Sequence, residues 1–405
     1  MGVKICYFPY IFSGLSAFLP ILMSITNTTL ISHAFNLLII GFLFVALSVQ
    51  YNLKFNRTLV GFYLGWVSYY LIVLAFKGEV GLVIFFYLVP ITLSFFLMFT
   101  CGNPQPTKMM EFQKSIYLVH IAFVFFEIVL LSLGYGDTLE AIIGSRYRRD
   151  LGGKLRDLTG MPHGPNSLLL SAQGASHILV MGIVLFLCTE SVTKKNIIFV
   201  LFLFILFLFS ITLAETLILL ILLSFWYLWK VPDKYKKLKL LFFISLNLIF
   251  AYDLVFWRFY DAGVFNKEFF QLYVEYFMAP VIHLWEIDTI QLVLGMKDSF
   301  FVNSDHNIHA DFGYGMLFLK QGMIIIMLLF LFYVFFFLKS KKLVLVDVQH
   351  KTRFYLCMRK LLLSNLLLSI GWLLTPVHYS LIFFDGGMQL FSLHLASGMW
   401  AIKKY

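Results

Sequence analysis

A chain of 405 residues that is 60% hydrophobic and only 13% charged, with a mean hydropathy of +0.87, has too little polar surface to be a soluble globular domain. The composition defines a membrane protein. In such a protein the formal net charge of +10 does not point to nucleic acid, because what carries information is how the basic residues divide between the two membrane faces.

A hydrocarbon core of about 30 Å takes roughly 20 helical residues per crossing. Apolar runs bounded by polar or basic residues predict spans near 6–25, 31–50, 58–76, 80–100, 115–134, 167–188, 197–212, 214–230, 239–256, 313–338, 358–376 and 380–401. The expectation is an all-α polytopic protein of about 12 transmembrane helices, a single integral membrane domain over 1–405, with both termini on one side. The run from Cys6 to Ile25 lacks a small-residue cleavage site and reads as an uncleaved first span. Residues 197–230 contain no basic interruption, but as one helix they would be about 50 Å long, so a hairpin is expected near Thr212 to Thr216.

With the N-terminus cytoplasmic, most lysines fall inside, including Lys194, Lys195, the group from Lys230 to Lys239, Lys403 and Lys404. Cys6, Cys101, Cys188 and Cys357 fall at cytoplasmic span ends, where no disulfide is expected. Arginine breaks the pattern. Arg146, Arg148, Arg149, Arg156 and Arg258 sit in the two long outer segments, about 135–166 and 257–312, against the positive-inside rule.

In the first outer segment, glycines at 152, 153, 160 and 164 permit tight turns, and four arginines offer bidentate donors suited to phosphate oxygens. The bland alternative is a solvated loop whose arginines pair with Asp150, Asp157 and lipid headgroups. The second segment holds Arg258, many aromatics, and the cluster Asp305, His306, Asn307, His309 and Asp311, the densest group of proton-transfer residues in the chain. That cluster could instead cap the following helix, or hold a metal, although no other region offers complementary His or Cys ligands. Within the spans, Glu127, Glu215, Asp253 and Asp385 are the carboxylates that invite a functional or a pairing role. There is no Walker A loop, dinucleotide fingerprint, HExxH, GxSxG or Asp-x-Asp pair, so arginine is the group available to neutralise a diphosphate.

This pattern resembles the O-antigen polymerase (Wzy-type) family of bacterial surface polysaccharide assembly. Arg149 followed by ten residues and Gly160 is similar to the Arg/Gly pattern of that family's first large loop. Arg258 opens the second loop, and HADFGYG from His309 to Gly315, followed by Gly322, resembles its loop-to-span signature. One departure is that Phe269, not glycine, stands eleven positions after Arg258. The His-to-glycine spacing of the related O-antigen ligases is not reproduced after His306 or His309.

The resemblance implies a periplasmic-face glycosyltransferase of the bacterial inner membrane. A growing glycan on undecaprenyl diphosphate would pass to the non-reducing sugar hydroxyl of one lipid-linked repeat unit, with undecaprenyl diphosphate leaving. It implies diphosphate binding by Arg149 and Arg258, supported by Arg146, Arg148 or Arg156. His309 is the first choice of base, with His306 and Asp311 behind it, and Gly160, Gly313 and Gly322 are the motif glycines. No metal or other cofactor is expected. The partners implied are undecaprenyl-diphosphate-linked oligosaccharide repeat units, and a chain-length regulator and flippase of the same assembly pathway. The alternatives are a lipid-linked oligosaccharide flippase, which would place polar residues at the bilayer midplane, the related ligase, and a non-catalytic member of an assembly complex.

Overall fold

The computed structural model describes residues 5–26, 28, 30–51, 65–69, 71–73, 75–76, 83–143, 165–190, 193–210, 213–230, 288–296, 322–324, 327, 330, 334, 336–340, 353–375 and 386–404. Among them every regular element is helical. A 3-10 turn at Ile5–Tyr7 leads into α1 (Phe8–Ser16), followed by α2 (Leu19–Thr26), α3 (Leu30–Tyr51), α4 (Val83–Gly102), α5 (Pro106–Ser132) and α6 (Gly136–Ile143). After these come α7 (Ala172–Thr189), α8 (Lys194–Ser210), α9 (Leu213–Lys230), α10 (Thr289–Leu294), α11 (Arg353–Leu374) and α12 (Gly387–Lys404).

Two described helices, Pro106–Ser132 and Phe354–Leu374, are long and apolar enough to cross a membrane, and four shorter ones are apolar: Leu30–Phe42, Tyr87–Gly102, Gln173–Thr189 and Glu215–Tyr227. The expected first span is not one straight helix. It breaks between Ser16 and Leu19 with a bend of 42°. Pro20 explains the break, since its ring lacks an N–H and collides with the carbonyl one turn earlier. The fifth helix starts at Pro106, well before the expected 115, because proline fits the first helical turn and the polar stretch through Lys114 extends the helix beyond its apolar part. The expected span 239–256 lies outside the described residues, as do parts of 58–76 and 313–338.

The centre of the bundle is α12. Every residue from Gly387 to Gly398 is buried, and the helix packs against α1, α4 and α11. A second hub, α7, packs against α5, α8, α9 and α11. Small residues bring these helices close: a Cβ on Gly371 would stand 2.3 Å from Met181 Cε, and one on Gly398 would stand 2.4 Å from Phe336 Cζ.

Side chains are distributed inside-out. On α5, Leu118, Val119, Phe125, Phe126 and Val129 are exposed while Gln113, Tyr117, His120 and Glu127 are buried. On α8, Ile197, Ile198, Leu201, Ile205 and Leu208 face outward. Water would reverse this arrangement, whereas a hydrocarbon surround favours it, because the polar groups then find partners only in the interior. One end of the bundle is clasped around the C-terminus of α7. Lys114 of α5 forms an ion pair with Glu190, Asn196 of α8 donates to the same carboxylate, and Lys360 of α11 donates to the Thr189 carbonyl at 3.0 Å.

Candidate functional site

Of the residues singled out from the sequence, Arg146, Arg148, Arg149, Arg156, Gly160, Arg258, His306, His309, Asp311 and Gly313 lie outside the described residues, as do Asp253 and Asp385. Gly322, Glu127 and Glu215 are described. Around them lie two turns, one that follows residues 144–164 and one that joins the flanks of residues 297–321, and a buried polar seam that runs through the bundle.

The first anchor follows residues 144–164. Asn166 and Ser167 are both buried, and the Ser167 amide donates to Glu127 Oε2 of α5 at 2.7 Å. Here the backbone is forced: Ser167 has φ 61° and Leu170 has φ 51°, left-handed values that side chains disfavour. The turn is held by Ser171 N donating to Asn166 O at 2.8 Å and Leu169 N donating to Ser167 Oγ at 3.1 Å. Ser171 then caps α7, its Oγ accepting from Gly174 N at 2.8 Å. Leu169 also packs onto Gly386, where α12 begins. The buried carboxylate of Glu127 thus holds the turn that directly follows the first arginine-bearing stretch of sequence.

The second anchor flanks residues 297–321. Before them, α10 opens with a capping box in which Asp288 Oδ1 accepts from Gln291 N at 2.7 Å, and it ends at Gly295. After them, Gly322 has φ +77° and lies against this same turn: a Cβ added there would stand 2.1 Å from Val293 O and 2.7 Å from Gly295 N. Only glycine permits that approach. Gly322 therefore has a definite structural reason, and the described residues on either side of 297–321 touch each other.

The seam was not anticipated from the sequence. Gln113 Nε2 donates to Asn365 Oδ1 at 2.8 Å; His394 Nδ1 lies 3.0 Å from that oxygen, and His394 Nε2 lies 2.9 Å from Tyr117 OH. Trp372 Nε1 donates to the same Tyr117 oxygen at 3.2 Å. The roles follow from valence. An amide oxygen only accepts, so His394 carries its proton on Nδ1, and Nε2 accepts from the tyrosine hydroxyl. Beyond Trp372, whose ring lies edgewise 4.4 Å from His177, His177 Nδ1 meets Glu215 Oε2 at 2.7 Å. The seam is continued on α12 by Thr92 donating to Ser392 at 3.0 Å and Gln389 donating to Asn36 at 2.8 Å. His120 is fully buried, with neither ring nitrogen bonded.

A readable signal existed. Gln113, Tyr117 and His120 stand at i, i+4 and i+7 on α5, and Asn365, Ser369 and Trp372 repeat that spacing on α11. A reading that weighs only intramembrane carboxylates finds Glu127 and Glu215 and passes over the neutral groups. Among the described residues no three His, Cys, Asp or Glu side chains come together as a metal site.

Fold and site together define an all-helical bundle with an apolar exterior, a polar seam and two anchored segments. No protein-family model, curated protein or solved structure matches the chain.

Proposed function

We propose that the protein is a surface-polysaccharide polymerase of the O-antigen type, a multi-pass protein of the bacterial inner membrane with about 12 spans, cytoplasmic termini and two long periplasmic segments. It transfers a growing glycan from undecaprenyl diphosphate to the non-reducing sugar of a lipid-linked repeat unit. The donor is already activated, so the reaction needs a positioned hydroxyl, a base and cations at the departing diphosphate, and no nucleotide. Arg149 and Arg258, with Arg146, Arg148 and Arg156, supply the cations, and His309, with His306 and Asp311 near it in the chain, supplies the base. The observation that carries this reading is the Glu127 anchor. A buried carboxylate that holds a strained turn right behind the four-arginine segment gives that segment a defined mounting, which a merely solvated loop does not require.

In cells that make the cognate repeat unit, loss of the protein should leave surface lipid capped with a single repeat. Loss of a flippase or ligase should leave none. Arg149→Lys keeps the charge and removes the fork, so it should abolish long chains, and unchanged polymer length would discard the bidentate role. Long-chain polysaccharide that survives His309→Ala would remove that residue as base.

A transporter is the second reading, and one observation favours it. Gln113, Tyr117, His120, Asn365 and His394 put buried polar groups in the middle of α5, α11 and α12, where a flippase would need them.

A further inference from the structure

The seam's hydrogen-bond bookkeeping does not close. His120 Nδ1 and Nε2, His177 Nε2, Gln113 Oε1 and Ser369 Oγ are all buried without a partner among the described residues. In a bundle surrounded by hydrocarbon each such atom calls for a partner, and ordered water suits a polar site of this kind. Three imidazoles, a phenol and a carboxylate are groups that can each accept a proton and give one up.

The set is interrupted at one place. On one side lie Gln113, Asn365, His394 and Tyr117; on the other lies the His177–Glu215 pair, and His120 stands one turn beyond Tyr117 on α5, toward the end at which Glu127 meets Ser167. Between them stands Trp372, fully buried, its N–H given to Tyr117 and its ring against His177. Indole nitrogen donates and does not accept, so it cannot pass a proton on.

Glu215 of α9 stands 2.7 Å from His177 Nδ1, and the non-titrating Trp372 of α11 lies against its ring. Among the described residues the buried titratable groups of the helices packed around this seam are Tyr117, His120 and Glu127 of α5 and His394 of α12. The lysines of α8, Lys194 and Lys195, and Arg359 and Lys360 of α11 belong to the opposite end. Lys360 reaches Thr189, twelve residues and about 18 Å along α7 from His177. No permanent cation stands within the seam to repel a proton among the described residues.

We propose that the bundle core is a proton path gated by Trp372. In passage, the Tyr117 hydroxyl gives its proton to His394 Nε2, His394 releases the proton on Nδ1 to water beside Asn365, and the Tyr117 oxygen is reprotonated by water from the His120 and His177 side. One proton enters for each that leaves, a turn of the His394 ring restores the Nδ1–H tautomer before the next passage, and nothing is oxidised or reduced. With the indole in place the water chain between Tyr117 and His177 is broken. Movement of the ring joins it. The path uses none of the arginine-bearing segments and does not depend on the polymerase reading.

The test uses the purified full-length protein in liposomes that contain a pH-reporting dye, under a potassium diffusion potential. Trp372→Ala should acidify the lumen faster than the wild type, and either His394→Leu or His120→Leu added to it should abolish the gain. His120→Leu removes a ring with no hydrogen bond, so its loss of flux is not a loss of a packing bond. Each variant is checked for wild-type helix content and a single peak in size exclusion, and Trp372→Leu is read in the same way should the alanine variant fail that check. A folded gate variant that conducts no faster than the wild type overturns the proposal. So does a gain that survives both histidine substitutions.

Discussion

Three glycines with left-handed backbone separate conformational strain from steric contact, and Gly322→Ala is the perturbation that joins them. Gly134 has φ +84° and nothing within 4 Å of the place an added methyl would take, so Gly134→Ala carries the backbone cost alone. That cost is about 1–2 kcal/mol for an L-residue in the left-handed region. At Gly386, with φ +83°, the nearest atom is the end of the Leu169 side chain at 2.9 Å, which can rotate. At Gly322, with φ +77°, the three nearest atoms are all backbone, Val293 O at 2.1 Å, Val293 C at 2.5 Å and Gly295 N at 2.7 Å. An ordinary contact needs about 3.5 Å. The turn after α10 must therefore separate from Gly322 by more than an ångström, which adds about 1–3 kcal/mol on the scale of overpacked cores. The gain from a less flexible unfolded chain is similar for all three substitutions and cancels between them. Thermal unfolding in detergent should rank Gly322→Ala below Gly386→Ala, and Gly386→Ala at or slightly below Gly134→Ala. Equal midpoints for Gly322→Ala and Gly134→Ala would refute the contact that joins the two flanks of residues 297–321.

Gln389→Leu removes a donor to Asn36 at 2.8 Å and an acceptor for the Gly386 amide at 2.7 Å, and leaves both partners buried. It should destabilise the bundle by about 2–4 kcal/mol in a denaturant or thermal series. Lys114→Met breaks the ion pair with Glu190, but the two side chains keep 21% and 28% of their exposure, so the effect should stay within about 1 kcal/mol and shrink further in high salt. Gly398→Ala drives a methyl into the Phe336 ring, 2.4 Å away, and should cost about 1–3 kcal/mol, of which Phe336→Leu in the double variant should restore a measurable part.

The helices were legible because long apolar runs bounded by lysine or proline leave few alternatives: α3, α4, α7, α8, α9 and α11 each overlap an apolar run read from the sequence. Where the reading failed, a local effect was responsible. Pro20 divides the first run into α1 and α2, and the capacity of Pro106 to open a helix moves the start of α5 into polar sequence. Gly322 stood out in the sequence only through a family resemblance, whereas the constraint on it here, the backbone of Val293, is a tertiary fact. The polar seam was hidden for a different reason. Gln113, Tyr117, Asn365 and His394 are neutral residues scattered through apolar runs, and only the packing of α5, α11 and α12 shows that they meet. Sequence spacing places residues on one helix face, whereas which faces meet depends on helix order and depth.

The division of charge between seam and segments also bears on the choice between polymerase and flippase. A flippase carries a diphosphate headgroup through the bundle, and a doubly charged group in a low-dielectric path needs cations on the way. Among the described residues the buried polar groups include Glu127, Glu215, histidines and tyrosines, with no buried lysine or arginine. A diphosphate that passed through such a seam would find no permanent cation there. Arg146, Arg148, Arg149, Arg156 and Arg258, by contrast, all belong to the two segments assigned to the outer face. On the proposed reading, arginines in the two outer segments hold a lipid diphosphate at the membrane boundary, and a core without a buried lysine or arginine among the described residues gives such a headgroup no permanent cation to follow inward.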